Sequence, residues 1–325
     1  MTPDSHYLAF SGGVGGAKLA LGLARLLDPG QLNIVANTGD DFQHLGFHIS
    51  PDIDTVIYTL AGLANPELGW GQAGETWQCL EALERLGGET WFQLGDRDLA
   101  THIRRTSLLA GGATLSEATA ALCQALGVVH RVIPMSDDPV PTQVLTRTGE
   151  ALSFQHYFVR DRCMPAVTGF EFAGIAAARP APAFLESLRS TALRGVVICP
   201  SNPFVSVDPV LALPGVMELM KAASAPVVAV SPIVGGQAIK GPAAKMMQEL
   251  GMPQTALAVA QHYQGRIDGF VLDQQDEHYA PAVERLGMSV QVTNTMMLSL
   301  EDRINLATAV LGFIEQVSTA TRTGG

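Results

Sequence analysis

Two sets of aspartates stand close together early in the chain: Asp40 and Asp41 in NTGDD, and Asp52 and Asp54 in PDIDT. Clustered carboxylates suit Mg2+, a hard cation that takes oxygen ligands and commonly bridges to phosphates. Asp40 and Asp41 are the expected metal ligands. Helix capping is the competing role for Asp52 and Asp54, since Asp accepts hydrogen bonds from first-turn amides. Just upstream, SGGVGGAK places Gly12, Gly13, Gly15 and Gly16 before Lys18. Glycines let backbone amides approach an anion, and a helix N-terminus carries the partial positive charge that favours phosphate. Lys18 adds a point charge.

This loop fits neither familiar phosphate-binding spelling. A P-loop ends in Gly-Lys-Ser/Thr, whereas Lys18 lies between Ala17 and Leu19. Counted from Gly13 and Gly15, the place of the third dinucleotide-fingerprint glycine belongs to Lys18. A nicotinamide dehydrogenase is therefore disfavoured, the more so because Asp40 and Asp41 crowd the end of the second strand.

The elements that must position these residues follow a βα rhythm. HYLAF reads as a buried strand, AKLALGLARLL as a helix and LNIVA as a second strand. This βαβ unit calls for a parallel sheet with right-handed crossovers. Residues 53–127 are mostly helical in pattern, with a capping box at Thr114 and Glu117. TQVLTRTGEALSFQHYFVRDR alternates around RTGE and suggests a β-hairpin. The βα rhythm resumes with GVVICPSNP, APVVAVSPIVGG, IDGFVLDQQD and MSVQVTN, and EDRINLATAVLGFIEQV closes as a helix. The expected fold is a doubly wound, Rossmann-like α/β core from about 1–52 and 190–325. A helical and β-hairpin insertion is expected over about 53–189.

Ligands of such sheets bind beyond the carboxyl ends of the strands. SGGVGGAK, NTGDD, PSNP and SPIVGG all lie there, which brings Ser201, Asn202, Ser231 and, more weakly, Lys240 onto one expected rim.

Composition bounds the function. The 325 residues are 47% hydrophobic and 16% charged, enough for a large buried sheet. A net charge of -11 has the wrong sign for nucleic acid or an anionic membrane. Four scattered cysteines read as reduced thiols. The N-terminus resembles no signal peptide and no apolar run approaches about 18 residues, so a cytoplasmic protein is expected.

SGGVGGAK, NTGDD with SPDIDTVIYTL, WFQLGDRDLATH, PSNPFVSVDPVL and SPIVGGQAIKGPA occur in the order seen in the CofD family, and the resemblance covers nearly the whole chain. That family comprises the 2-phospho-L-lactate transferases of coenzyme F-420 biosynthesis. The resemblance implies a magnesium-dependent enzyme joining the deazaflavin Fo to a phosphorylated three-carbon acid, delivered as a guanosine diphosphate conjugate, with release of GMP. Phospholactate, phosphoenolpyruvate and phosphoglycerate all stand open as that acid. A homodimer is implied as well.

Within that chemistry, Asp40, Asp41 or Asp54 would take the acceptor's hydroxyl proton. The glycine loop, Lys18, Ser201, Asn202 and Ser231 would hold the nucleotide conjugate, with the Asn202 amide suited to a guanine edge. Asp52 and the Asp96, Arg97 and Asp98 of LGDRD would face the acceptor; a salt-bridged helix start is the plainer reading of LGDRD. Tyr58, Trp70, Trp77, Trp91 and Phe92 would enclose a flat tricyclic ring or else pack as core. His44, His48 and His102 are expected to be packed or solvated side chains. The second reading is a non-catalytic nucleotide-sugar-binding regulator, as in the distant YvcK-like relatives, without an acceptor pocket.

Overall fold

The computed structural model describes residues 5–238 and 241–323. Seven strands form the main sheet: β1 (His6–Ser11), β2 (Leu32–Ala36), β3 (Arg131–Pro134), β4 (Leu193–Ile198), β5 (Val227–Val230), β6 (Gly269–Asp273) and β7 (Ser289–Thr293). Their order is β7-β6-β5-β4-β1-β2-β3, with every neighbouring pair parallel. The chain winds outward from β1 in one direction and from β4 in the other. The switch point thus lies between these two strands, where such folds bind ligands.

Strand alternation divides the core between the two faces. Tyr7 and Ala9 of β1 pack in one apolar cluster, and Leu8 and Phe10 in the other. All six β1 residues are buried, as a central parallel strand covered on both sides requires. On the Tyr7 face lie α1 (Gly13–Leu26), α2 (Pro51–Leu60), and further along the chain α3 (Gln78–Arg85), α4 (Asp96–Ala110) and α5 (Leu115–Ala125) follow. Of these, α2 and α5 send Ile53, Val56, Ile57, Leu115 and Leu122 into that same cluster. On the Leu8 face, α6 (Ala243–Glu249) buries Met246 and Met247. The closing helix α7 (Leu300–Thr323) crosses α1 at Gly22, where a Cβ would stand 2.1 Å from the Arg303 carbonyl oxygen.

The doubly wound sheet and the capping box on α5 match the sequence reading. The expected insertion boundary needs correction. Arg131–Pro134 pairs with β2 inside the main sheet, and α2 and α5 pack its face, so the core reaches well into 53–189. The RTGE hairpin forms between Thr142–Thr146 and Ala151–Ser153, and Val167–Phe172 adds a third antiparallel strand. HYFVR, expected to continue the hairpin, instead makes a π-helical turn over His156–Arg160.

Candidate active site

A large cavity of about 660 Å³ opens beyond the carboxyl ends of β1, β2, β4, β5 and β7. Gly12, Gly13, Val14, Gly15 and Lys18 line it, as do Asp40, Asp52, Ser201, Asn202, Ser231 and Thr295. Aromatic groups from the surrounding segments complete the wall: Tyr58, Trp70, Trp91, Phe92, Phe154 and Phe158.

The glycine loop is pinned before any ligand arrives. The Gly12 N–H donates to Ser201 Oγ at 3.2 Å, and the same hydroxyl donates to Gly12 O at 2.8 Å. Gly13, with φ of 62°, donates its N–H to Asp52 Oδ1. That leaves Val14 and Gly15, which line the cavity and whose first-turn N–H groups an α-helix provides with no intrahelical acceptor. Packing also fixes two of the glycines. A Cβ on Gly15 would stand 2.3 Å from Pro200 O, so this glycine allows two backbones to touch. Gly16 is buried off the cavity wall, where a Cβ would meet Ser11 Oγ and Ser201 Oγ, each at 2.7 Å. Lys18 Nζ donates to Met297 O at 3.0 Å and ties the loop to the segment after β7.

The aspartates regroup. A short hairpin, Phe42–His44 with Phe47–Ile49, returns the chain after β2 so that Asp52 at the start of α2 reaches Asp40. The Asn37 side-chain amide donates to Asp40 Oδ1 at 3.2 Å and Asp52 Oδ2 at 2.9 Å, and Gln155 donates to Asp40 Oδ2 at 3.2 Å. Burial first, then the Asp52 and Asp41 carboxylates, push Asp40 well above the usual carboxylate range. Burial likewise raises Asp52 to about 6, against the lowering pull of its bonds from Asn37 and Gly13. Asp41, expected as metal ligand and catalyst, is off the cavity wall; Ser50 Oγ donates to it at 2.7 Å and His48 Nε2 lies at 3.1 Å.

Asp54, also expected as a catalyst, lines the cavity but is clasped by both terminal nitrogens of Arg105, a fully buried guanidinium. Such a pair engages both carboxylate oxygens, and breaking it would leave a buried charge uncompensated. LGDRD separates residue by residue. The Asp96 carboxylate caps α3, accepting from Gln78 N, Cys79 N and Thr76 Oγ1, and Arg97 donates to Ala73 O at 2.8 Å. Neither reaches the cavity, whereas Asp98 does. Tyr58 OH donates to Asp98 Oδ1 at 2.6 Å. Its pKa lies below the ordinary value: burial raises it, and the nearby His102 and the Tyr58 bond outweigh that.

His102 proves more than a packed side chain. Buried and lining the cavity, it stands with Nε2 3.4 Å from Asp98 Oδ2 and Nδ1 3.7 Å from Asp54 Oδ2. Arg105 Nη1 lies 3.3 Å from Nδ1, and Nε2 faces Asp98. His44 packs edge-on to Trp91 at 5.0 Å, and His48 serves Asp41.

At the other strand ends the polar groups are partly committed. Asn202 Oδ1 accepts from Phe204 N at 3.0 Å, and its amide nitrogen lies 3.4 Å from Met246 Sδ, so part of its hydrogen-bonding capacity is already used. The Ser231 hydroxyl donates to Ile233 O at 2.8 Å. Lys240 lies outside the described residues. Trp77 is off the main cavity. Sequence reasoning missed Phe154, Gln155, Phe158 and Arg162, which the π-helical turn delivers, and Thr295–Leu298 after β7. A polar strand end was the signal for the latter; strand-like alternation concealed the former. All four cysteines are free thiols, as expected.

No single helix among the described residues is long and apolar enough to cross a membrane. A member of the UPF0052 family from Bacillus halodurans shares the fold, with a TM-score of 0.62 at 14% identity over 96% of this chain and 100% of that one. A phosphoenolpyruvate transferase from Kitasatospora aureofaciens is 40% identical over 316 residues, covering 95% of this chain and 98% of the relative. A 2-phospho-L-lactate transferase from Methanosarcina acetivorans is 39% identical over 310 residues, covering 95% and 99%. The family model described as 2-phospho-L-lactate transferase CofD matches residues 8–301, and the regulator reading is not favoured by these transferase relatives. From its glycine loop to its closing helix, this chain belongs to the CofD family of transferases.

Proposed function

We propose that the protein joins the terminal hydroxyl of the deazaflavin Fo to a phosphorylated three-carbon acid carried on guanosine diphosphate, releasing GMP. One observation carries this reading: a single cavity is lined by first-turn amides, by a buried carboxylate pair and by a set of aromatic rings. An anion site, a cation site and a flat-ring site are what the two substrates require together. The reading includes a homodimer, as the family resemblance implies, acting in the cytoplasm.

Asp40 and Asp52 fit Mg2+, in place of the Asp40 and Asp41 pair expected from sequence. Both are buried, both converge on one Asn37 amide, and burial, before any neighbouring charge, makes both hold protons more tightly than an ordinary carboxylate. When bound, the ion would neutralise phosphate charge during transfer. The Val14 and Gly15 amides bind the diphosphate, and Lys18, steadied by Met297 O, adds charge beside them.

Asp98 orients the acceptor. Its ionised carboxylate accepts a hydrogen bond from the incoming hydroxyl, while Tyr58 and His102 hold it in place. The hydroxyl oxygen bonds to the phosphorus bearing the three-carbon acid, the bond from that phosphorus to the GMP oxygen breaks, and the hydroxyl proton passes to Asp98. A weakly basic aspartate is sufficient, because phosphoryl transfer depends chiefly on alignment and charge neutralisation. Trp91, Phe92, Trp70 and Phe158 would stack on or enclose the tricyclic ring.

The test is mass spectrometry of the product formed from Fo, Mg2+ and the guanosine diphosphate conjugate of each acid. A phosphodiester product with equimolar GMP is expected. The relatives carry two names at nearly equal identity, and their products differ by two hydrogens, so the product mass names the acid. Binding of the conjugates without any product in the presence of Fo would sink the transferase reading.

A further inference from the structure

Four aspartates line the cavity, Asp40, Asp52, Asp54 and Asp98, and of these Asp54 already has the Arg105 guanidinium as its partner. Against them, the Lys and Arg residues that line it among the described residues are Lys18 and Arg162. Lys18 is already drawn to the Met297 carbonyl. Arg162 is exposed and makes no hydrogen bond or ion pair with any described residue. The acid beside it in RDRC is spoken for, since Arg160 pairs with both oxygens of Asp161, Nε to Oδ1 at 2.8 Å and Nη2 to Oδ2 at 3.0 Å.

The backbone holds Arg162 in an unusual way. Arg162 has φ of 49° and Cys163 φ of 56°, two consecutive non-glycine residues in the left-handed region. That region favours glycine, so side chains there signal a compensating role. The pose is fixed from both sides. Cys163 N donates to Tyr157 O at 2.8 Å, and Met164 N to Asp161 O at 2.9 Å. Lys245 on α6 donates to Pro165 O at 3.4 Å and to Glu249, whose Oε2 accepts from Val167 N at 3.1 Å. The guanidinium is thus carried to the cavity by a stapled turn.

We propose that Arg162 reads the carboxylate of the three-carbon acid and is the residue that makes the enzyme require a phosphorylated carboxylic acid as the group it transfers. This rests on the function proposed above. In that substrate the phosphates have the loop amides and a cation to meet them, but a carboxylate entering a cavity that Asp98 also lines needs its own cation. The planar guanidinium fork matches a carboxylate with two parallel hydrogen bonds, a pairing that Lys18 cannot make.

The test compares three ligands by calorimetry on wild type, Arg162→Met and Arg162→Lys: the guanosine diphosphate conjugate of the acid, GDP, and the ethyl ester of GDP, which lacks the carboxylate. Arg162→Met is expected to lower affinity for the acid conjugate by on the order of 10- to 100-fold and to leave GDP and the ethyl ester within about twofold. Arg162→Lys should recover part of the loss, because charge returns without the fork. Thermal melting should be unchanged, as the side chain is exposed. Undiminished affinity of Arg162→Met for the acid conjugate, or an equal loss for all three ligands, would overturn the proposal. Wild-type product formation with Fo is measured in parallel: its presence beside an insensitive Arg162→Met refutes the arginine alone, and its absence refutes the transferase reading and the arginine role with it.

Discussion

Gly15 touches Pro200 backbone to backbone: a Cβ on Gly15 would stand 2.3 Å from the Pro200 carbonyl oxygen. The loop after β1 and the loop after β4 meet there, at the switch point of the sheet. This changes what a substitution at the glycine loop does. A side chain added at Gly15 collides with protein before it can obstruct an anion.

Gly15→Ala should therefore destabilise the fold by on the order of 1 to 3 kcal/mol, the range for forced overpacking, and lose nucleotide affinity as a consequence. Thermal denaturation without ligand reads the first effect. A mutant that melts like wild type yet binds no nucleotide would place the side chain in the anion's space and overturn this expectation.

Asp40→Asn and Asp52→Asn should each raise the Mg2+ concentration needed for half-maximal activity, because each removes one charge from the pair that fits the ion. Asp41→Asn should leave that requirement nearly unchanged, since His48 and Ser50 hold Asp41 away from the cavity. Titrating activity with Mg2+ separates the three variants. Loss of Mg2+ dependence in Asp41→Asn, with normal dependence in Asp52→Asn, would return the site to the pair expected from sequence.

Asp52 gives the metal-free protein a pH dependence of defined sign. Its carboxyl titrates at about 6 when folded and near the ordinary value of about 3.9 when unfolded. Between these values the native state holds a proton that the unfolded state has released, so stability falls as pH rises through the window. Acidifying from about pH 7 to about pH 5 in the presence of a chelator should stabilise wild type relative to Asp52→Asn by on the order of 1 to 2 kcal/mol. Parallel melting curves of the two proteins check this, and a difference that stays flat or reverses with pH counts against the raised carboxyl.

Arg105 should be indispensable to folding although it touches no ligand. Replacing it by Met leaves Asp54 buried without its cation and should cost about 3 to 5 kcal/mol. The double variant Arg105→Met with Asp54→Asn should recover much of that loss, because the orphaned charge is gone. Urea unfolding of the single and double variants measures the coupling; simple additivity would refute it.

Much of this molecule was legible in local pattern. Fully buried strands, a glycine turn into a helix, and polar residues at successive strand ends are set by nearest neighbours along the chain, and so the parallel sheet, its carboxyl-edge site and the family resemblance could all be read from the residues. Which of those strand-end residues act together was decided only in three dimensions. Asp52 rather than Asp41 joins Asp40 because a hairpin of three-residue strands turns the chain back onto Asn37, and a one-residue difference at a strand end reverses the direction of a side chain. Asp96 and Arg97 leave the site while Asp98 enters it, because adjacent residues of one helical turn face different ways. Arg131–Pro134 joins the main sheet by pairing with β2, a contact no local period records. Gly15 and Gly16 owe their identity to Pro200 and Ser201, and His102 owes its importance to lying between Asp54 and Asp98. These relationships depend on distance through space between segments far apart in the chain, and the tertiary packing alone supplies it.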